Sequence, residues 1–131
     1  MERNEKTRAL LAAFGCALAY LLAGKALTAV LPQVPEEAAR MWAFVHRCAA
    51  APIVEELVFR GIIQQLARPL GERQAVALQA VLFALQHGSV AAMVYALVCG
   101  LGLGWLADRT GHLWPGMLLH SANNLLVLAM G

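Results

Sequence analysis

Long apolar runs recur along this chain, at residues 9–31, 41–66, 90–107 and 113–130, with a shorter one at 74–87. Crossing a hydrocarbon core takes about 17–25 mostly apolar residues in a helix, because lipid offers no partner to an unpaired backbone N–H or C=O. The run at 74–87 is marginal by that measure and is expected to be tilted or half-covered by its neighbours. The other structure that can span, a closed β-barrel, needs alternation of period two over short strands, and none is present. The pattern predicts an all-α fold: a polytopic transmembrane helix bundle of about five segments. It forms a single domain over 1–131, with its motif-bearing core at 41–130.

Composition supports the same class. The hydrophobic fraction is 60% and the charged fraction 14%, against about 45–50% and 25% in soluble domains. Net charge is +2, and no basic run or interleaved aromatics suggest nucleic-acid binding. Cys16, Cys48 and Cys99 are isolated, form no CxxC pair and read as small buried hydrophobes. The run at 9–31 is longer than a signal peptide's apolar region, and Ala17-Leu18-Ala19 comes too early for a cleavage site. A retained first membrane helix is expected there, with Lys25 snorkelling. Arg3, Lys6, Arg8, Arg68, Arg73 and Arg109 fall on one side of the implied topology, with Arg40 and nearby Arg47 on the other. That bias predicts an N-terminus inside.

Against this background the segment Pro52-Ile53-Val54-Glu55-Glu56-Leu57-Val58-Phe59-Arg60 stands out. One carboxylate at the centre of a membrane helix costs roughly 2.5–3.5 kcal/mol on insertion scales. Two adjacent ones with an arginine close by point to a functional cluster. On a helix Glu56 and Arg60 are four residues apart and share a face, so they can pair. Glu55 lies about 100° away and is left for proton transfer, the division of labour that general-base chemistry uses. Pro52 frees a backbone carbonyl and can kink the helix, which could admit water.

Two more polar elements interrupt apolar segments. Phe83-x-x-x-His87 ends the third segment, and His120-x-x-x-Asn124 lies in the fifth with both side chains on one face. At 1.5 Å rise per residue, Glu55, His87, His120 and Asn124 fall at roughly 10–20 Å from the same membrane surface. Polar groups from three helices thus share one slab of the bilayer.

These three elements, in this order, resemble the CAAX-protease and bacteriocin-processing (CPBP, or abortive-infection) family of intramembrane proteases, over residues 52–124. The resemblance implies an intramembrane endopeptidase in which Glu55 activates a water with help from His87. It implies that His120 and Asn124 stabilise the oxyanion and that Glu56 and Arg60 support the site. No metal or other cofactor is implied. The implied partners are the lipid bilayer and a membrane-tethered protein or peptide substrate, and the implied location is a bacterial cytoplasmic membrane. Some bacterial branches, such as the myxosortase group, cleave C-terminal sorting tails, and the short chain is compatible with that type. The family usually has more helices than this chain supplies, so the fold is either a minimal core or a cavity completed by homo-oligomerising.

Other functions would use the same residues. Two histidines and a glutamate can ligate zinc, although no HExxH is present and the ligands would come from three helices. A non-catalytic immunity or chaperone-like membrane protein could bind a peptide there. A proton-coupled transporter would also bury carboxylates, but no inverted repeat is evident. Elsewhere, Gly100-x-x-x-Gly104 fits close helix packing and follows no strand, as a nucleotide loop would. His46 and His112 read as interfacial, Asn123 as a packing contact, and Trp42, Trp105 and Trp114 as interfacial aromatics.

Overall fold

The computed structural model describes residues 2–30 and 34–131, and among these it contains five helices and no strand. Helix α1 is Glu2–Val30, α2 covers 36–66, α3 is Glu72–Ala84, α4 is Val90–Thr110 and α5 is Trp114–Met130. The sequence-based end of the first segment, at Leu31 and Pro32, lies outside the described residues. α1 starts seven residues before its apolar run because Glu2 and Lys6, one turn apart, pair on the helix surface. Likewise α2 begins at Glu36, ahead of the apolar run, with its first turns exposed.

α1 and α4 are long and apolar enough to cross a membrane, with mean hydropathies of 1.8 and 2.0 over their best windows. α3, at 13 residues, rises only about 20 Å, short of the roughly 30 Å hydrocarbon core. The expectation of about five spans therefore stands as five helices, of which these two meet the criterion. The outer surface is apolar: Val30 and Val90 are 76% and 77% exposed, and many leucines and valines on all five helices face outward. Water would penalise so large an apolar exterior, whereas acyl chains solvate it.

The interior is held by small residues and aromatics. α1 contributes only alanines to the buried set, Ala9, Ala13 and Ala17, and this four-residue spacing lines one face. Tyr20, one turn on, meets Phe59 of α2 edge-to-face at 5.4 Å. Phe59 in turn meets Phe83 of α3 at 5.2 Å.

α4 packs on α3 through Gly100 and Gly104, as their spacing predicts. A Cβ built on Gly100 would lie 3.1 Å from Ala80 of α3. The close approach brings α4 carbonyls within reach of two buried glutamines that the sequence reading did not single out. Gln79 Nε2 donates to Gly100 O at 2.8 Å, and Gln64 Nε2 of α2 donates to Gly104 O at 3.1 Å. At the ends of α2 and α4, Arg68 pairs with Asp108 at 2.7 Å, tying the two helices at one side of the bundle. Ser89 caps the start of α4 through Ala92 N–H, and Gly111, at φ 69°, ends it in a left-handed conformation open to glycine.

Gly102, between the two packed glycines, has no neighbour within 4 Å of a built Cβ. Gly100→Val is therefore expected to destabilise the fold by about 2 kcal/mol through overpacking, while Gly102→Ala is neutral or slightly stabilising through helix propensity. Thermal unfolding in detergent compares the two.

Candidate active site

The second helix is not a uniform α-helix, and its first irregularity follows from Pro52. Proline has no N–H, and its ring crowds the carbonyl four residues back. The preceding stretch, His46–Ala50, widens to π-helical geometry, with the Ala51 N–H donating to His46 O. The carbonyl of Arg47 is then passed over: Ala51 bonds to His46 instead, and residue 52 has no hydrogen to give. Asn124 of α5 supplies the missing donor, with Nδ2 at 2.9 Å from Arg47 O. Glu56–Ile63 widens in the same way, a local distortion common at functional sites.

On this widened stretch Glu56 and Arg60 are completely buried, with Arg60 Nη1 at 3.1 Å from Glu56 Oε1. The guanidinium also lies over the Phe83 ring, its Cζ 4.5 Å from the centroid, a second electrostatic contact for a buried charge. The pairing read from the i, i+4 spacing is thus present. Glu56 has a further partner that spacing could not reveal. His120 Nδ1, on α5, is 2.9 Å from the same Oε1. Glu56 Oε2 points at the α5 backbone, where a Cβ on Gly116 would come within 2.9 Å of it. Only glycine leaves room for the carboxylate there.

His120 joins the two glutamates. A carboxylate only accepts when ionised, so Nδ1 carries the hydrogen toward Glu56, and Nε2 faces Glu55 Oε2 at 3.4 Å. That second distance exceeds an ordinary hydrogen bond and leaves space for shortening when a proton is shared. Glu55 is half-buried, in contrast to Glu56. The result is a continuous line of charge and donors: Arg60, Glu56, His120, Glu55.

His87 sits just beyond the end of α3, in tight turns closed by Gln86 N to Phe83 O at 3.2 Å and His87 N to Ala84 O at 3.0 Å. Its Nδ1 faces Phe83 O at 3.1 Å, which directs Nε2 away from its own backbone. Among the described residues, neither His87 nitrogen comes within 4.0 Å of a carboxylate. What joins it to the cluster is Phe83, whose ring meets His87 at 5.0 Å and His120 at 5.7 Å. Phe83 was legible only as a motif letter; here it is the common platform of two histidines and an arginine.

Six residues singled out in the sequence are therefore placed as follows. Glu55, Glu56, Arg60 and His120 form one contiguous cluster, His87 reaches it through Phe83, and Asn124 binds the backbone of α2 one turn from Pro52. Asn123, beside it, accepts from the hydroxyl of Tyr95 on α4, the packing role expected. Among the described residues no three His, Cys, Asp or Glu side chains converge as a ligand set for a metal ion.

A helical bundle with an apolar exterior around a buried carboxylate–imidazole cluster is the architecture of a membrane protein. A family model described as "Type II CAAX prenyl endopeptidase Rce1-like" matches residues 37–126, more than two thirds of the chain and every residue of the cluster. The chain belongs to this protease family. No curated protein and no solved structure matches it significantly.

The Pro52–Arg47–Asn124 arrangement gives a direct test. Asn124→Ala should cost about 1 kcal/mol by leaving the Arg47 carbonyl unpaired. In a Pro52→Ala background the new N–H can satisfy that carbonyl, so the same change should cost close to nothing. A double-mutant cycle on unfolding free energies reads the difference.

Proposed function

We propose that the protein is a glutamate-dependent intramembrane endopeptidase, and that Glu55 activates the water that attacks a scissile peptide carbonyl. The observation that carries this reading is His120 held between the two glutamates, with Nδ1 2.9 Å from Glu56 and Nε2 3.4 Å from Glu55. Glu56, fixed by Arg60, commits the imidazole to one tautomer. Its other nitrogen is then available to the reacting groups.

The water oxygen bonds to the carbonyl carbon while its proton passes to the Glu55 carboxylate. Negative charge collects on the former carbonyl oxygen, where N–H donors count most in a site with little water. The proton held by Glu55 can move to His120 Nε2, producing an imidazolium flanked by carboxylates and an N–H beside the oxyanion. Asn124 Nδ2 has two hydrogens; one goes to Arg47 O, and the second can serve the oxyanion. His87, its Nδ1 turned to Phe83 O, assists Glu55 through Nε2. Collapse of the tetrahedral adduct breaks the C–N bond, and the amine leaves with the proton returned from the Glu55–His120 pair.

The substrate is a membrane-tethered protein or peptide cut near its tail or leader, and the protein resides in a bacterial cytoplasmic membrane with its N-terminus inside. The lysine and arginine distribution supports that orientation.

Removing the base separates this reading from peptide binding without cleavage. Glu55→Gln is expected to lower turnover by at least about a hundredfold, within the range general-base catalysis contributes, while expression and thermal unfolding stay close to wild type. Comparing terminal peptides of the membrane proteome between wild type and Glu55→Gln should reveal termini that require the carboxylate. Cellular function that survives both Glu55→Gln and His87→Ala would overturn the reading. Cleavage should persist after chelation; loss restored by added zinc would assign the chemistry to a metal instead.

A further inference from the structure

Tyr20 of α1 stands at the depth of the glutamate cluster. It lies eleven residues into the apolar run that starts at 9, and Glu55 lies eleven residues before the run at 41–66 ends. At 1.5 Å per residue both are about 16 Å from the same membrane surface. Phe59 links them laterally. Its ring meets Tyr20 edge-to-face at 5.4 Å, and on the widened stretch of α2 it follows Glu55 by one turn. Helical side chains lean toward the N-terminus, so Phe59 leans back over the turn that carries Glu55. The Tyr20 phenol accordingly lies within electrostatic reach of the Glu55 carboxylate.

The hydroxyl is an unmet donor there. Of the two tyrosines in the chain, Tyr95 gives its hydroxyl to Asn123. Tyr20 is half-buried, and its hydroxyl has no hydrogen-bond partner among the described residues. A tyrosine in apolar surroundings ordinarily finds one, and at mid-bilayer acyl chains offer no acceptor. The helix also parts from the bundle at this level. Cys16, Tyr20 and Gly24 share a face. The first two pack against the core, but a Cβ on Gly24 would meet nothing within 4 Å, and residues 22–30 are exposed. On α2, Ile53 and Val54 are exposed as well. Tyr20 and Glu55 therefore border an opening between α1 and α2 that faces the bilayer.

We infer that the Tyr20 hydroxyl donates a hydrogen bond to a backbone carbonyl of the bound substrate, next to the scissile bond, and so positions that chain over Glu55. The inference rests on the endopeptidase reading above and adds a substrate-binding residue to that same site. An extended peptide in the opening brings carbonyls that lipid leaves unpaired. Glu55 cannot answer them, because an ionised carboxylate only accepts; a phenol can, and it adds no charge. Tyr20 lies outside the residues matched by the family model, 37–126, so the first helix contributes a functional group of its own as well as packing.

The test compares wild type with Tyr20→Phe as full-length protein in lipid nanodiscs. The probe is a fluorogenic peptide drawn from a randomised pool as one that wild type cuts and Glu55→Gln leaves intact. Phenylalanine keeps the edge contact with Phe59, so Tyr20→Phe should unfold near the wild-type temperature. Its KM should rise about five- to tenfold, the scale of one hydrogen bond between neutral groups. Its kcat should stay within about twofold of wild type, as expected when uniform binding is lost. Binding of the same peptide, fluorescently labelled, to Glu55→Gln should weaken by the same factor when Tyr20→Phe is added. Unchanged KM and unchanged binding overturn the inference and leave Tyr20 a packing residue. A fall in kcat alone also overturns it, because the hydroxyl would then act only in the transition state. If wild type cuts no peptide that Glu55→Gln leaves intact, the endopeptidase reading itself fails and the role of Tyr20 falls with it.

Discussion

The buried pair of Glu56 and Arg60 is the constraint from which the remaining structure follows. Both side chains are fully enclosed, and enclosing either charge alone would cost several kcal/mol. Mutual attraction offsets part of this, and the neighbouring helices add further contacts. Phe83 presents its ring to the guanidinium, His120 donates to the carboxylate, and Gly116, lacking a side chain, leaves room for the second oxygen. Two helices, α3 and α5, are thereby fixed to α2 around two charges. A buried ion pair is weak evidence for stability. Its consequence here is orientation: it leaves His120 one permitted tautomer and one direction.

That orientation separates two adjacent glutamates of identical chemistry. Glu56 has two partners, Arg60 and His120, and no exposure, while Glu55 is half-buried and, among the described residues, faces the far nitrogen of His120. The first carboxylate is held on every side, and in the proposed mechanism the second exchanges the proton. The cavity between α4 and α5 touches the same imidazole, so one histidine faces two carboxylates and an apolar chamber. The membrane contributes as well. Around the buried cluster each fixed dipole acts through a low dielectric.

Much of this was legible in the chain. The apolar runs located five helices, and the i, i+4 spacing of Glu56 and Arg60 located their pair. The Gly100–Gly104 spacing located the α3–α4 contact. Helix ends were less legible, since hydropathy marks what lipid covers and not where hydrogen bonding starts; α1 and α2 both begin in polar sequence. Pro52 announced a freed carbonyl, but which carbonyl it freed depended on the widened turn before it. That Asn124 would answer that carbonyl is a property of two helices in three dimensions. The bridge from His120 to both glutamates was hidden for the same reason. No spacing along one helix reports which nitrogen of a distant imidazole faces which oxygen. Gln64 and Gln79 escaped notice because a buried amide is only informative once its carbonyl partner is known.

The central claim is that Glu56 holds His120 in the Nδ1–H form and turns Nε2 toward Glu55. Solid-state ¹⁵N NMR of histidine-labelled protein in bilayers measures this directly, with His120→Gln identifying the signal. The account predicts a protonated Nδ1 whose resonance shifts strongly in Glu56→Gln and an Nε2 that responds to Glu55→Gln. A His120 signal with bare Nδ1 and hydrogen on Nε2, indifferent to Glu56→Gln, would contradict it.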